Sequence, residues 1–442
     1  VVKIYVTGVP VSAVLNVSSA PNVVRSSRRF FEMKSIVLCS ALGLSGALVA
    51  MIAQGCSSSS SSPTPEDSGA PVQDSGTPTT DTGAPSTDSG TPADTGAPNL
   101  DSGNAADTNP TVVDAGQWVP SNFAVSALAG LTPVAVDVAE TVTANSHDGT
   151  WNFNTTTAPA TPPSATVTLS GAGGNATVWY LSSLTVEAGQ QLNIEGDKPA
   201  IFYVTGPVQI DGAIVVTAGT LTNGAGAGAS GVTTSGNVPL GGGGGGGFCA
   251  AGGSGSAFDG GAANAGGQSY GTANLIPLVG GSLGGTSNNG PGGAGGGAFQ
   301  ITSTASIAIV AGGSILAGGL GGGSGNAEGA GGGSGGSLLL EAPSVANAGN
   351  LSVNGGSGGD ANNDGNPATI NATPAIGGGN GGSGAAAGTA TGGNGGTPGA
   401  AGGGGAGRIR INATTPTLGG IITPSVGDAG DNCVTTGSLP TM

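Results

Sequence analysis

Charge is scarce in this chain. Only 7% of its 442 residues are Asp, Glu, Lys or Arg, and aromatics make up 3%. Helix faces are normally built from residues such as Glu, Lys, Arg, Leu and Gln, and long stretches here hold none of them, which argues against a helical protein. Basic residues are rarest. Beyond Cys56 there are Lys198, Arg408 and Arg410, against 23 acids. Binding to a phosphate backbone depends on clustered Lys and Arg, so no nucleic-acid partner is expected. The acidity suits solubility outside a cell, or divalent cations. There is one histidine, His147, and no C-x-x-C or H-x-x-x-H spacing, so no zinc site is read. What is abundant is glycine, 93 residues, with 27 prolines, near the level that marks low complexity. Between the glycines stand short runs of Val, Ile, Leu and Ala, which read as strands.

One long apolar run interrupts this picture. Residues 33–56 read "MKSIVLCSALGLSGALVAMIAQGC". Met33 and Lys34 make a short positive start and Ile36 to Ala53 an apolar core, the pattern of a secretory signal. The end, "AQGC" before six serines, resembles a bacterial lipobox. That resemblance implies cleavage before Cys56, lipidation of its thiol, and a lipid anchor to the outer membrane or cell surface. A plain signal peptide, or an uncleaved transmembrane helix, is the alternative. Residues 1–32 precede this leader and are read as an upstream extension, with Met33 the initiator.

From residue 57 to 117 the chain is Ser, Thr, Pro, Asp and Gly. A short unit recurs, "DSGAP", "DSGTP", "DTGAP". Low hydrophobicity and charge of one sign keep such a segment unfolded and extended. It resembles the stalks of myxobacterial-type secreted lipoproteins.

From Trp118 to the end at 442 a repeat emerges. Five segments share a plan: 178–196, 200–219, 298–319, 337–356 and 408–427. Each has a short apolar run, a turn of two to four residues, a second run in most copies, a Gly-bearing turn, and a last short run closing on Gly. Apolar residues alternate, as in Leu192-Asn193-Ile194 and Ile409-Arg410-Ile411, which puts one set of side chains on one face. A period of about 23 residues with three short strands fits one rung of a parallel β-solenoid, in which stacked rungs share a core. The expected fold is therefore all-β, a parallel β-helix. Residues 134–169 are read as a first rung and N-terminal cap, with Trp151 and Phe153 facing into the cap.

Glycine-rich excursions leave this stack after Gly219, Gly319 and Gly356, and the chain returns at Ala298, Ser337 and Arg408. The first holds seven consecutive glycines, 241–247, followed by Phe248 and Cys249 as anchors. The excursions are either flexible loops or packed polyglycine II helices, a conformation of three residues per turn without internal hydrogen bonds. Segments such as "GGAGGGA" and "GGNGGSG" resemble the polyglycine II regions of phage tail-tip adhesins and of an insect antifreeze protein, although the sequence keeps no strict period of three.

Few residues suggest chemistry. "DANNDG" matches the start of a calcium loop: Asp360, Asn362 and Asp364 supply oxygens and Gly365 the turn. A solvated Asn/Asp turn is the alternative. Cys249 and Cys433 form a disulfide if the compartment is oxidising, or stand as two thiols. His147 with Asp148 hints at a triad, but no G-x-S-x-G elbow accompanies it. No catalytic residue is assigned. The enzymatic alternative is a β-helix polysaccharide lyase or hydrolase, which needs grouped carboxylates. Glu187, Glu195, Asp211 and Glu341 are scattered in sequence; stacking brings Glu195 and Asp211 together in that reading, and Arg408 and Arg410 bind a carboxylate or pair with Glu341. The functional expectation is a structural or adhesive surface lipoprotein with a glycan or cell-surface partner and no cofactor other than calcium. An ice-binding protein is a further alternative.

Overall fold

The computed structural model describes residues 4–6, 9–11, 118–153, 161–216, 241–258, 262–287, 290–325, 327–386, 388–425 and 432–441. The chain divides into two compact units, Val1–Asp101 and Ser102–Met442. In the first, β1 (Ile4–Val6) and β2 (Val9–Val11) pair antiparallel. The second unit carries all the remaining strands, and among the described residues its only helices are single 3-10 turns, Val125–Leu128 and Ser170–Ala172.

The second unit is all-β, and most of its strands pair in parallel. Successive passes of the chain lay them in three columns. β3 (Val134–Val138) and β4 (Val142–Asn145) begin the second and third columns. β5 (Trp151–Phe153) pairs antiparallel with β4, and β6 (Ser164–Thr168) antiparallel with β7 (Asn175–Val186), so this end of the stack is closed by reversed strands. β8 (Gln191–Glu195) completes that pass, and β9 (Ala200–Val204), β10 (Val208–Ile210) and β11 (Ala213–Val216) make the next. β12 (Ala298–Ser303), β13 (Ser306–Ile309) and β14 (Ser314–Leu316) follow the first excursion. β15 (Ser337–Asn347) with β16 (Asn350–Ser352), then β17 (Arg408–Leu418) with β18 (Ile421–Thr423), follow the second and third. β19 (Val434–Gly437) adds a last strand beside β17.

Alternation fills the interior. In the first column Trp179, Phe202, Ile301, Leu340 and Ile411 lie in register. In the second, Leu184, Val208, Ile307 and Val345 do so, and in the third Leu192, Ile214, Ile315, Leu351 and Ile422. These residues belong to one continuous apolar cluster. Trp151 seals its closed end, edge-on to Trp179 with ring centres 6.2 Å apart. Returns at Ala298, Ser337 and Arg408 coincide with strand starts. The turn expected between the first two runs of each copy is absent from β7, β15 and β17. There one strand of 11 or 12 residues serves both columns, and between β15 and β17 the paired Ala342 and Ala413 carry the ladder from one column into the next.

The glycine excursions form a second region with a different hydrogen-bond period. Within residues 329–336, Gly329, Gly332 and Gly335 donate to the carbonyls of Gly399, Gly402 and Gly405 at 2.8, 3.0 and 3.0 Å. Ala330, Gly333 and Gly336 donate to Gly323, Leu320 and Ala317, and Gly331 and Ser334 to Gly285 and Ser282. The carbonyls of the same segment accept from Gly243 and Gly246, from Gly359 and Gly356, and from Gly293 and Gly296. Every third residue therefore faces the same neighbour, and six segments surround this one. A strand, with its period of two, reaches only two neighbours.

The seven-glycine run lies inside this lattice, and all of Gly241 to Gly247 are buried. A Cβ built on Gly245 would stand 1.8 Å from the carbonyl oxygen of Gly403, and one on Gly242 2.1 Å from that of Ala400. Backbone fills the space that a side chain needs, so the sequence there must be glycine.

Candidate functional site

The outward face of the first column is not solvent-exposed. Val178, Ile201 and Leu339 on this face pack with Phe248, Leu275 and Leu278 from the first excursion and with Phe123 and Leu128 from the segment before β3. Beside this apolar cover lies a polar group. Glu341 has 0% exposure, as do Gln300, Thr302 and Asn122. Burying a lone carboxylate is costly unless hydrogen bonds compensate, and here five donors converge on it. Oε1 accepts from the Ser121 hydroxyl and from Asn412 Nδ2 at 3.0 Å. Oε2 accepts from Gln300 Nε2 at 2.8 Å, Thr302 Oγ1 at 3.1 Å and the Ser121 amide at 3.2 Å. Asn122 extends the network by donating to Gln300 Oε1 at 3.1 Å and to the Leu275 carbonyl at 2.9 Å, while its own side-chain oxygen accepts from the Leu278 amide.

The arginines do not pair directly with Glu341. Arg410 donates from Nε to Asn412 Oδ1 at 2.7 Å, and Asn412 passes the contact on to Glu341. Burial lowers the Arg410 pKa, opposed by the field of Glu341. Arg408 donates from Nε and a terminal nitrogen to the Tyr270 carbonyl at 3.2 and 3.0 Å, and its guanidinium carbon lies 5.8 Å from the centre of the Phe248 ring, a cation–π distance. Glu195 and Asp211 are not brought together. Glu195 ends β8 in register with Asn145. Asp211 follows β10, and the pairing of Ile210 with Val186 aligns it with Glu187 instead.

The other flagged residues have local partners. Asp360 Oδ1 accepts from the amides of Asn362 and Asn363 at 2.9 and 2.8 Å and from Asn363 Nδ2, while Oδ2 accepts from the Asn380 amide. Burial works against its charge, but these hydrogen bonds hold its carboxyl below the usual carboxylate range. Asp364 accepts from the Ser324 amide at 2.6 Å, which lowers its pKa too. Asn362 is exposed. Among the described residues no group of three or more His, Cys, Asp or Glu is arranged to hold a metal ion. His147 sits in an exposed turn with Nδ1 3.0 Å from Asp197 Oδ1. Asp148, its neighbour, instead accepts from Thr150, whose side chain and amide lower the Asp148 pKa. Cys249 and Cys433 are bonded, with Cα atoms 5.5 Å apart, inside a small cluster of alanines. Cys56 and the leader lie outside the described residues, and among those described no helix is long and apolar enough to cross a membrane.

Ser121 and Asn122 were not legible as site residues. They meet Glu341 and Gln300 across 220 and 178 positions of sequence, and their surroundings, "VPSNFAV", carry no local motif. No family model, curated protein or solved structure matches the chain.

Proposed function

We propose that this protein is a surface-anchored scaffold: a parallel β-solenoid, braced along one side by a polyglycine II bundle, held on a stalk by a lipid at Cys56. Its role in this reading is structural or adhesive, toward a glycan or another cell surface. The observation that carries it is how densely the second unit bonds to itself. Backbone amides of the excursions bond to neighbouring excursions, the buried carboxylate is surrounded by donors from its own chain, and a disulfide ties residues 184 apart in sequence. Such a body resists unfolding and proteolysis and holds a shape, as a displayed module must. The three-residue donor period supports the polyglycine II assignment, since that helix has three residues per turn. The Asp360–Gly365 loop is read as an Asn/Asp turn because its carboxylates already accept N–H donors.

Lipidation is tested by radiolabelled palmitate: label is expected on the full chain and is expected to vanish in Cys56→Ser. Unchanged labelling would refute the anchor. The adhesive role is tested by glycan-array binding of the purified chain; an enzymatic role would show instead as new reducing ends or unsaturated products on incubation with pectin or alginate.

A further inference from the structure

The segment that leads into β3 does not take the shortest path. Trp118 bridges antiparallel to Thr441, and the Val119 amide donates to the Pro440 carbonyl at 2.9 Å. Ser121 then meets Glu341 of β15, itself bonded to Asn412 of β17. Asn122 meets Gln300 of β12. Phe123 stands edge-on to Tyr203 of β9, ring centres 5.8 Å apart. The Ser170 amide donates to the Asn122 carbonyl, and Leu128 packs with Val167 of β6 and Val178 of β7. Along this path the contacts move from the segment after β19 to β15, then β12, then β9, and last to β7 and β6. Strands lie about 4.8 Å apart and an extended residue spans about 3.4 Å, so an extended chain crossing them advances about 1.4 residues per strand; Ser121 to Phe123 crosses from β15 to β9 with side chains reaching the remainder, and the 3-10 turn Val125–Leu128 follows over the closed end.

We propose that residues 118–131 are a strap that carries tension and that Glu341 is its clasp. Tension entering from the N-terminal side arrives at Trp118, beside the segment that follows the last strand, and pulls along the strap rather than on β3. It is resisted in shear by the Glu341 group, by Asn122 and by Phe123 acting together, before β3 is loaded. One buried carboxylate suits this task because its two oxygens collect donors from the strap, β12 and β17 at once, so the strap is held to three separate passes of the chain through a single residue. The physiological meaning of that tension rests on the stalk-and-anchor reading above; the clasp itself does not.

The test uses the purified chain from Cys56 onward, without membrane, pulled in an optical trap between its N-terminus and a handle on exposed Glu187 (Glu187→Cys). The wild-type protein is expected to show a discrete early event that releases about 50 Å of chain, the contour of the strap at roughly 3.5 Å per residue, followed by rupture of the stack at higher force. In Glu341→Gln, and separately in Ser121→Ala/Asn122→Ala, that early event is expected at less than half the force, with the later events unchanged. Hydrogen exchange provides the second readout: the Val119 and Ser121 amides should exchange at least 10-fold faster in both variants while the β9 and β12 amides keep their protection. If the variants rupture as the wild type does, or if strap and stack come apart in one step in all proteins, there is no clasp. Unchanged palmitate labelling in Cys56→Ser would refute the anchor and leave these results unaffected, so the two readings fail separately.

Discussion

The two halves of the second unit solve the same problem with opposite materials. In the stack, side chains are the core: Phe202, Ile214 and Leu340 are fully buried and in register with apolar partners above and below. In the excursions, the backbone is the core. Residues 331–333 and 402–405 are buried with no side chain to bury, and their amides and carbonyls bond to neighbouring segments. Glycine is the most expensive residue to order, so the second solution is tenable only where removal of Cβ gains something else. What it gains is number of neighbours: a segment with a three-residue period bonds on every side, whereas a strand in a sheet leaves its two faces to side chains. Hence the stack tolerates a change of apolar side chain better than it tolerates loss of one, and the bundle is the reverse.

The largest effect expected from breaking this pairing is at the bond that joins the two regions. Cys249 belongs to the bundle, and Cys433 immediately precedes β19 of the stack. Closing a loop of 184 residues restricts the unfolded chain by about 5 kcal/mol in the chain-entropy account. Cys249→Ala/Cys433→Ala should lose up to that amount in denaturant titration, with stack and bundle losing stability together. Two separated transitions would mean that the regions fold independently.

Next come paired substitutions within the regions. Ile214→Ala leaves a cavity between Leu192 and Ile315 and should cost about 2–5 kcal/mol. Gly245→Val adds atoms where backbone already stands and should cost about 3 kcal/mol or more, at or beyond the upper end of ordinary overpacking. Gly396→Ala is the control. Its Cβ would meet one atom, the Asn380 carbonyl oxygen at 3.4 Å, and midpoint shifts should correspond to no more than about 0.5 kcal/mol. Equal tolerance at 245 and 396 would remove the packing argument.

The smallest effect is on acid stability. Hydrogen bonds keep Asp148, Asp360 and Asp364 below their ordinary carboxylate values. A folded pKa below the unfolded one stabilises the protein above the unfolded value, about 3.9, and that contribution is lost as pH falls through the lower folded value. Thermal midpoints should therefore hold down to about pH 4 and decline below it. In Asp360→Asn the decline should be shallower; an unchanged slope would mean that this turn contributes nothing.

Much of the stack was legible because strands announce themselves. Alternation in Leu192-Asn193-Ile194 and the starts at Ala298, Ser337 and Arg408 follow from side-chain patterns, and the Cys249–Cys433 pair stood out because only two cysteines follow Cys56. The continuous run of β15 through Ala342 was not legible, since "EAPS" reads as a turn and only the neighbouring ladder keeps it extended. The order of segments in the bundle was hidden for a stronger reason. Its register depends on where a Cβ fits, and that is decided by neighbours far along the chain: Gly243 lies against Gly285, Gly329 and Gly402. The strap was hidden likewise, because Ser121 and Asn122 become distinctive only when Glu341 is placed beneath them.

Hydrogen exchange across the seven-glycine run is the most direct trial of the account. Gly242, Gly243, Gly245 and Gly246 donate to Ser256, Gly329, Gly253 and Gly332 at 2.8 to 2.9 Å. Their amides should be protected to the same degree as those of β9 and β12 in the stack. Exchange at the rate of an unstructured chain, in a protein whose strands remain protected, would contradict a backbone core.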